Sequence, residues 1–212
     1  MASMNMRGKW ATAPPSLKLN VTSAQSVTSK NRAAFSPMTE IPDGFDPTKP
    51  MAPREEKYHC FENWWQSLKK IEGVDHVQSN QWWRKQTAPH RRFPNSKDKR
   101  KLYSLYKGTQ YNYVDSRKNI YVPQYHKYIH TRKNSLESLK YYSDQLDAGK
   151  DVTVFDFDGP RLPDKGVTCL EVSKELLVDK INDTDTPFGH GYVVAATLAQ
   201  IPMSEYVFHN IE

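Results

Sequence analysis

The sequence predicts a mixed α+β fold in which a small central sheet is wrapped by about six helices. Within residues 151–158, Val152, Val154, Phe155 and Phe157 form a nearly continuous apolar run, which is typical of a strand covered on both faces. Residues 17–22 alternate apolar and polar side chains, as a second strand would. Most other apolar residues recur at helical spacing. These three observations favour few strands and many helices.

Composition indicates a globular chain with a polar appendage. Only 37% of the 212 residues are hydrophobic, so part of the chain lies outside any core, yet 12% aromatic residues is too many for a disordered protein. Residues 1–16 are small and polar and end in two prolines. We therefore expect a disordered N-terminal arm over 1–16, with a single globular domain over 17–212.

Charge and cysteine usage predict an intracellular protein with an anionic partner. The net charge of +6 favours phosphates or nucleic acid. Cys60 and Cys169 are too few for a disulfide framework or a four-thiolate zinc site, and each lies in an apolar pattern typical of a buried thiol. Apolar runs long enough for a membrane helix or a signal peptide are absent. We expect a cytoplasmic location, no membrane partner, no metal and no cofactor.

The helices follow from periodicity and end signals. Apolar residues at positions 61, 64, 65, 68 and 71 predict a helix that Gly73 ends. Residues 39–54 contain four prolines and predict a surface loop. Ser135 is a suitable N-cap for a helix over 136–146. Further helices are expected over 77–86, over 113–121, from Pro123 onward, over 171–181 and over 192–199.

The first constellation that could carry chemistry lies on the first of these helices. Glu62, Gln66 and Lys69 are spaced i, i+4 and i+7, so they line one stripe beside the aromatic face. A carboxylate, an amide and an ammonium group suit acid–base chemistry, hydrogen bonding and phosphate holding. The alternative is the solvated edge of an ordinary amphipathic helix.

The second constellation is the end of the strand over 151–158. Asp156 and Asp158 stand where α/β sheets place ligands. The run resembles the first motif of haloacid-dehalogenase-type phosphatases, but Pro160 occupies the threonine position and too little chain follows for the later motifs of that fold. The alternative is a strand end whose aspartates cap a turn.

The third constellation is the glycine turn before the helix over 192–199. Gly189 and Gly191 flank His190, and such a turn lets the backbone approach a ligand while the helix start attracts an anion. A capping or packing histidine is the alternative. Farther back, Arg117 and Tyr121 share a helical face that could clamp a phosphate and a base, although a tyrosine stripe is also typical of packing.

A basic and aromatic segment over 82–103 offers a nucleic-acid interface, because cations hold phosphates while aromatic rings stack on bases. A solvated loop whose tryptophans dock on the core is the alternative. The residues predicted to bind nucleic acid are Arg84, Lys85, Arg91, Arg92, Lys99 and Arg100.

The order of these pieces resembles the NADAR-type N-glycosidase superfamily. A strand at 17–22 is followed by Phe35-Ser36-Pro37-Met38 and then by Glu62-x-x-x-Gln66-x-x-Lys69, which is similar to the family's helical signature. Phe188-Gly189-His190-Gly191 is similar to its Trp-Gly-x-Gly segment, with Phe188 in the tryptophan position. The middle of the chain, over 115–125, resembles uncharacterised phage and bacterial proteins that share this opening. The strand with Asp156 and Asp158 departs from the family pattern.

This resemblance implies hydrolysis of N-glycosidic bonds in ADP-ribose-like or nucleotide-like ligands, in the host cytoplasm if the chain is phage-encoded. Glu62 would stabilise the sugar cation or activate water, and Lys69, Asp156 and His190 complete the expected catalytic set. The residues expected to contact the ligand are Trp65, Gln66, Arg117, Tyr121, Asp158, Gly189 and Gly191. Two alternatives remain: a nucleic-acid-binding protein using the basic segment, and an inactive protein that keeps the fold.

Overall fold

The structure is a computed structural model that describes residues 2–8, 11–23, 30–71, 73, 75–91, 102–162 and 166–207. The chain divides into two compact units. The first unit contains Met1–Ser36 and Arg117–Glu212, and the second contains Pro37–Ser116. Both helices and sheets are present, so the predicted mixed α+β class is confirmed. The single domain predicted over 17–212 stays a prediction.

The regular elements are as follows in chain order. The strands are β1 Met4–Gly8, β2 Leu17–Asn20, β3 Lys69–Ile71, β4 Leu102–Tyr106, β5 Thr109–Tyr111, β6 Val152–Asp156, β7 Arg161–Leu162, β8 Gly166–Val167 and β9 Cys169–Glu171. The helices are α1 Lys30–Phe35, α2 Phe61–Leu68, α3 His76–Arg84, α4 Tyr113–Ser116, α5 Val122–Thr131, α6 Lys133–Asp147, α7 Lys174–Asn182, α8 His190–Leu198 and α9 Met203–Tyr206. A 3₁₀ turn spans Arg54–Glu56, and a π-helical turn spans Arg117–Tyr121.

The first unit is built on a four-stranded sheet with the order β2-β6-β1-β9. Strands β1 and β2 both pair in parallel with β6, while β9 is antiparallel to β1. Val152 and Val154 of β6 are fully buried, and α8 packs on β6 and β1. The prediction of a doubly covered central strand is confirmed, and so is the strand that begins at Leu17.

The N-terminal segment corrects the prediction of a disordered arm. β1 pairs with strands on both of its sides, and the backbone N–H of Ser3 donates to the Asp151 carboxylate at 2.7 Å. Met4, Asn5, Met6 and Gly8 are buried, and only Arg7 is partly exposed. The prediction is wrong at residues 4–8 because it rested on composition alone. Strands β6 and β9 provide hydrogen-bond partners for the backbone N–H and C=O groups of β1. Amino-acid composition does not indicate such pairing.

Helices α5 and α6 hold α1 in place through backbone carbonyls. The Tyr125 hydroxyl donates to Phe35 O, and Arg132 donates to Ala34 O at 2.9 Å. The predicted cap at Ser135 is wrong, because α6 begins at Lys133 and the Ser135 hydroxyl donates to Ala34 O at 2.7 Å instead. A buried serine inside a helix thus makes a tertiary contact.

The second unit packs α2 beside the antiparallel sheet β3-β4-β5. Phe61 and Trp64 of α2 lie 5.2 and 5.4 Å from the Phe45 ring, centre to centre. The prediction that this helix continues to Gly73 is wrong, since α2 ends at Leu68 and the next three residues form β3. Pairing with β4 overrides the helical spacing of Ile71.

The remaining helix predictions agree with the structure apart from their ends. The helix over 113–121 exists as α4 followed by the π-helical turn. The helix expected from residue 171 begins at Lys174, because Cys169–Glu171 forms β9 and the Ser173 hydroxyl caps the helix at Leu176 N. Within the described ranges, none of the helices has the length and apolarity that a membrane crossing requires.

Candidate functional site

Glu62 lies in the first turn of α2 as a buried carboxylate, 5% exposed. Its Oε1 atom accepts a hydrogen bond from Gln66 Nε2 at 2.8 Å and lies 3.4 Å from Arg91 Nε. The spacing of four residues puts Gln66 above Glu62 on the helix surface. A helix start also favours negative charge. One hydrogen bond and one ion-pair contact therefore meet at the same carboxylate oxygen; we call these three residues the Glu62 cluster.

The amide of Gln66 leaves a buried acceptor without a donor. Because a carboxylate only accepts, the amide nitrogen must face Glu62, and this fixes the orientation of the side chain. Gln66 is 5% exposed, and within the described part of the chain its Oε1 has no hydrogen-bond partner. Such an atom costs about 1–3 kcal/mol. A donor on a bound ligand would satisfy it.

Trp65 and Lys69 form a cation–aromatic contact beside the Glu62 cluster. The Lys69 ammonium lies 5.3 Å from the centre of the Trp65 ring, and Trp65 is buried. Lys69 is not on the helical stripe that was predicted. It follows the last residue of α2 and has extended backbone angles because β3 begins there. The Trp65 ring nevertheless holds the Lys69 ammonium group near the end of α2.

Asn63 is a positioning residue that the sequence analysis missed. Its amide nitrogen donates to Ala88 O at 2.9 Å, and its side-chain oxygen accepts from His90 N at 2.8 Å. These two bonds fix the segment that carries Arg91 onto Glu62. A fully buried asparagine between Glu62 and Trp64 is the signal, since an amide inside an aromatic helix face requires partners.

The basic segment is engaged within the second unit where the structure describes it. The Arg84 guanidinium lies over the Tyr58 ring at 5.4 Å, and Arg91 contacts Glu62. Lys85 is exposed, and Trp82 is 49% exposed. The other residues predicted to bind nucleic acid lie outside the described residues: Arg92, Lys99 and Arg100.

In the first unit, Asp156 and His190 form a buried pair. Asp156 ends β6 and His190 begins α8, and both are at most 2% exposed. Nδ1 of His190 lies 3.2 Å from Asp156 Oδ2, which also accepts from Gly191 N at 3.2 Å. Asp156 Oδ1 accepts from Phe157 N at 2.7 Å. The pair thus joins the end of β6 to the start of α8.

Nε2 of His190 faces the backbone carbonyl of Val21 at 2.5 Å. Because a carbonyl only accepts, Nε2 carries a proton, and one further proton is shared between Nδ1 and the Asp156 carboxylate. Both ring nitrogens and both carboxylate oxygens therefore have partners inside the unit. These contacts form a structural lock that joins the end of β2 to β6 and α8. The catalytic roles of Asp156 and His190 stay a prediction.

Gly189 and Gly191 lie close to the side chains of Asp158 and Asp156. A Cβ atom at Gly189 would lie 2.8 Å from Asp158 Cβ, and one at Gly191 would lie 2.8 Å from Asp156 Cβ. Gly189 and Gly191 therefore carry no side chain because Asp156 and Asp158, at and just after the end of β6, occupy the space. Burial, reinforced by the charges of Asp158 and Asp156, raises the pKa of Tyr192.

Arg117 and Tyr121 also make contacts within the first unit. The Arg117 guanidinium donates to Asp183 O at 2.5 Å and to Thr186 O at 2.7 Å. The Tyr121 ring stacks on Tyr125 with centres 5.9 Å apart. Both side chains are at least nine-tenths buried. Arg117 fixes the segment before Phe188 through these two bonds, and the phosphate clamp stays a prediction.

The predicted site residues are divided between the two units. Glu62, Trp65, Gln66, Lys69 and Arg91 lie in the second unit. The first unit contains Arg117, Tyr121, Asp156, Asp158, Gly189, His190 and Gly191. Among the residues that the structure describes, no group of three or more histidine, cysteine or acidic side chains could hold a metal ion. Searches of protein-family models, curated proteins and solved structures found no match to this chain.

Proposed function

We propose that the chain hydrolyses the N-glycosidic bond of an ADP-ribose-like or nucleotide-like ligand, with Glu62 as the working carboxylate. The observation that carries this proposal is the Glu62 cluster. A carboxylate that is almost completely buried has one oxygen that accepts a hydrogen bond from Gln66 and lies 3.4 Å from Arg91 Nε, and a buried amide oxygen without a donor lies beside it. A buried polar atom without a partner is costly to the fold, and a bound ligand is one way to satisfy it.

The reaction requires a carboxylate that the protein holds close to C1′ of the sugar. The bond between the sugar C1′ and the base nitrogen breaks, and its electron pair leaves with the base. The carbon becomes cation-like, and the negative charge of Glu62 stabilises it. Water then adds its oxygen to C1′. One water proton leaves through Glu62, and the base nitrogen takes up a proton, so atoms and charges balance.

The neighbours of Glu62 suit recognition of the ligand. Gln66 Oε1 would accept a hydrogen bond from a sugar hydroxyl or an amino group, which would satisfy a buried atom that lacks a partner among the described residues. Lys69, held against Trp65, would attract a phosphate. The resemblance of Glu62-x-x-x-Gln66-x-x-Lys69 to the NADAR signature supports the same assignment.

The test is release of a free base from a panel of NAD, ADP-ribose and nucleoside phosphates, read by mass spectrometry. Glu62→Gln keeps the size of the side chain but removes its charge, so we expect release to fall at least a hundredfold. Glu56→Gln is the matched control, because Glu56 is exposed and pairs only with Lys49 among the described contacts. Its release should equal that of the unmodified chain.

Two outcomes would contradict the proposal. Full release by Glu62→Gln would remove Glu62 from the chemistry. No release by the unmodified chain, with retention of DNA or RNA that weakens steeply as salt rises, would favour the nucleic-acid-binding alternative.

A further inference from the structure

Helix α5 carries two histidines that lie one helical turn apart. His126 and His130 are spaced i and i+4, and their ring centres are 4.1 Å apart with an angle of 29° between the planes. Both side chains are half-buried. Residues at this spacing share one face of a helix, so the two imidazoles stand side by side.

A backbone hydrogen bond fixes the tautomer of His130. Its Nδ1 atom lies 2.8 Å from the carbonyl oxygen of His126. Because that oxygen only accepts, Nδ1 carries the proton and the lone pair is left on Nε2. Metal-binding histidines in proteins use this arrangement, in which one ring nitrogen donates to a carbonyl and the other binds the ion.

His126 also leaves its ring nitrogens available. Within the described part of the chain, no hydrogen bond reaches them, and the only ring contact of His126 is with His130. An imidazole nitrogen in this state can bind a metal ion.

We propose that His126 and His130 form a two-imidazole site for a late first-row divalent metal ion, with water completing its coordination. Metal–nitrogen bonds of about 2.0–2.1 Å at right angles would put the two ring centres about 4.5 Å apart. The observed separation of 4.1 Å is close to that value. The two rings are stacked, so metal binding turns them about their side-chain torsions until one nitrogen of each faces the ion.

The coordination sphere decides which ions bind best. The described residues offer no third histidine, cysteine or acidic side chain at this position, so the ion remains exchangeable. Imidazole ligands favour Cu²⁺, then Ni²⁺ and Zn²⁺, over Mg²⁺ or Ca²⁺. The site is built from α5 alone and does not rest on the proposed hydrolysis.

The test is calorimetric titration of the full, untagged chain with Ni²⁺ at pH 7.5. We expect one ion per chain, and an affinity at least tenfold lower in His126→Asn and in His130→Asn. His76→Asn is the matched control, because His76 bonds to the Tyr103 hydroxyl in the other unit, and its affinity should be unchanged. Absence of binding, or full affinity in both variants, would overturn the proposal.

A second measurement uses the unmodified chain and does not depend on how the variants fold. Carbethoxylation of each histidine is followed by mass spectrometry with and without Ni²⁺. Ni²⁺ should slow the reaction at His126 and His130 and leave His76 unaffected. Protection at other histidines, with none at these two, would contradict the site.

Discussion

Replacement of Asp156 by alanine should destabilise the first unit more than any surface aspartate does. The substitution removes the acceptor for Phe157 N, for Gly191 N and for the shared proton of His190. His190 remains buried with Nε2 bonded to Val21 O, but its Nδ1 loses its partner. The loss therefore combines hydrogen bonds with an unpaired buried group.

The expected magnitude follows from these contacts. Leaving one buried polar group without its partner costs about 1–3 kcal/mol, and this substitution removes that partner from Phe157 N, Gly191 N and His190 Nδ1. Asp156 is 1% exposed, so water is poorly placed to replace the carboxylate. We expect the free energy of unfolding to fall by about 4 kcal/mol, a large part of the ~5–15 kcal/mol that stabilises a typical domain.

The assay is urea denaturation followed by circular dichroism. Asp144→Ala is the matched control, because Asp144 is paired with Lys140 on the surface of α6 and should lose at most about 1 kcal/mol. A double-mutant cycle with His190→Phe should recover about 2 kcal/mol as coupling energy. If Asp156→Ala were as stable as Asp144→Ala, the structural lock would be refuted.

Three further predictions test the sheet, a glycine contact and a buried thiol. Deleting residues 2–8 should abolish cooperative unfolding of the first unit, because β1 pairs with both β6 and β9. An unchanged unfolding transition would contradict this and would support the prediction that the N-terminal segment is disordered. Gly159→Ala should lower the free energy of unfolding by about 3 kcal/mol, since its Cβ would lie 2.4 Å from the Arg7 carbonyl. Gly108→Ala, which has open space but a φ of +82°, should lose only about 1 kcal/mol, and equal losses would contradict the packing argument. Burial raises the pKa of Cys60 to about 12, so in a Cys169→Ser variant a thiol reagent at pH 8 should react only after unfolding; rapid reaction of the folded chain would contradict this. The unfolded thiol ionises at a lower pH than the folded one, so its ionisation favours unfolding. The stability that the protonated Cys60 thiol contributes is therefore fully present below about pH 8.5 and is lost as the pH rises toward the pKa of Cys60 in the folded chain.

Much of the fold could be predicted because local patterns agreed with tertiary packing. The run over 151–158 is apolar on both faces, and β6 is covered on both faces. The spacing of Tyr125, Tyr128 and Ile129 likewise matched the buried face of α5. The apolar composition of α8 matched a helix that is buried on nearly every side. Predictions were wrong where a distant partner decided the outcome: β1 is ordered by β6 and β9, and Ile71 leaves the helix to pair with β4. The spacing of residues along the sequence does not indicate which distant strands will pair.

The candidate site was predictable in part for the same reason. The spacing of Glu62 and Gln66 on one helix was sufficient to predict their contact. The roles of Arg91 and Asn63 depend on a segment that returns to α2 from more than 20 residues away, and no periodicity indicates that return. Arg117 was assigned to a phosphate because a charged residue suggests a ligand, whereas its guanidinium is buried on backbone carbonyls.

The most direct test of the proposed hydrolysis follows the oxygen of water. The unmodified chain and the Glu62→Gln variant are incubated with the nucleotide panel in H₂¹⁸O, and both released base and sugar are analysed by mass spectrometry. Hydrolysis at C1′ predicts one ¹⁸O atom in the freed sugar with the unmodified chain and at least a hundredfold less labelled sugar with Glu62→Gln. Unlabelled sugar, or equal labelling by both proteins, would contradict hydrolysis assisted by Glu62.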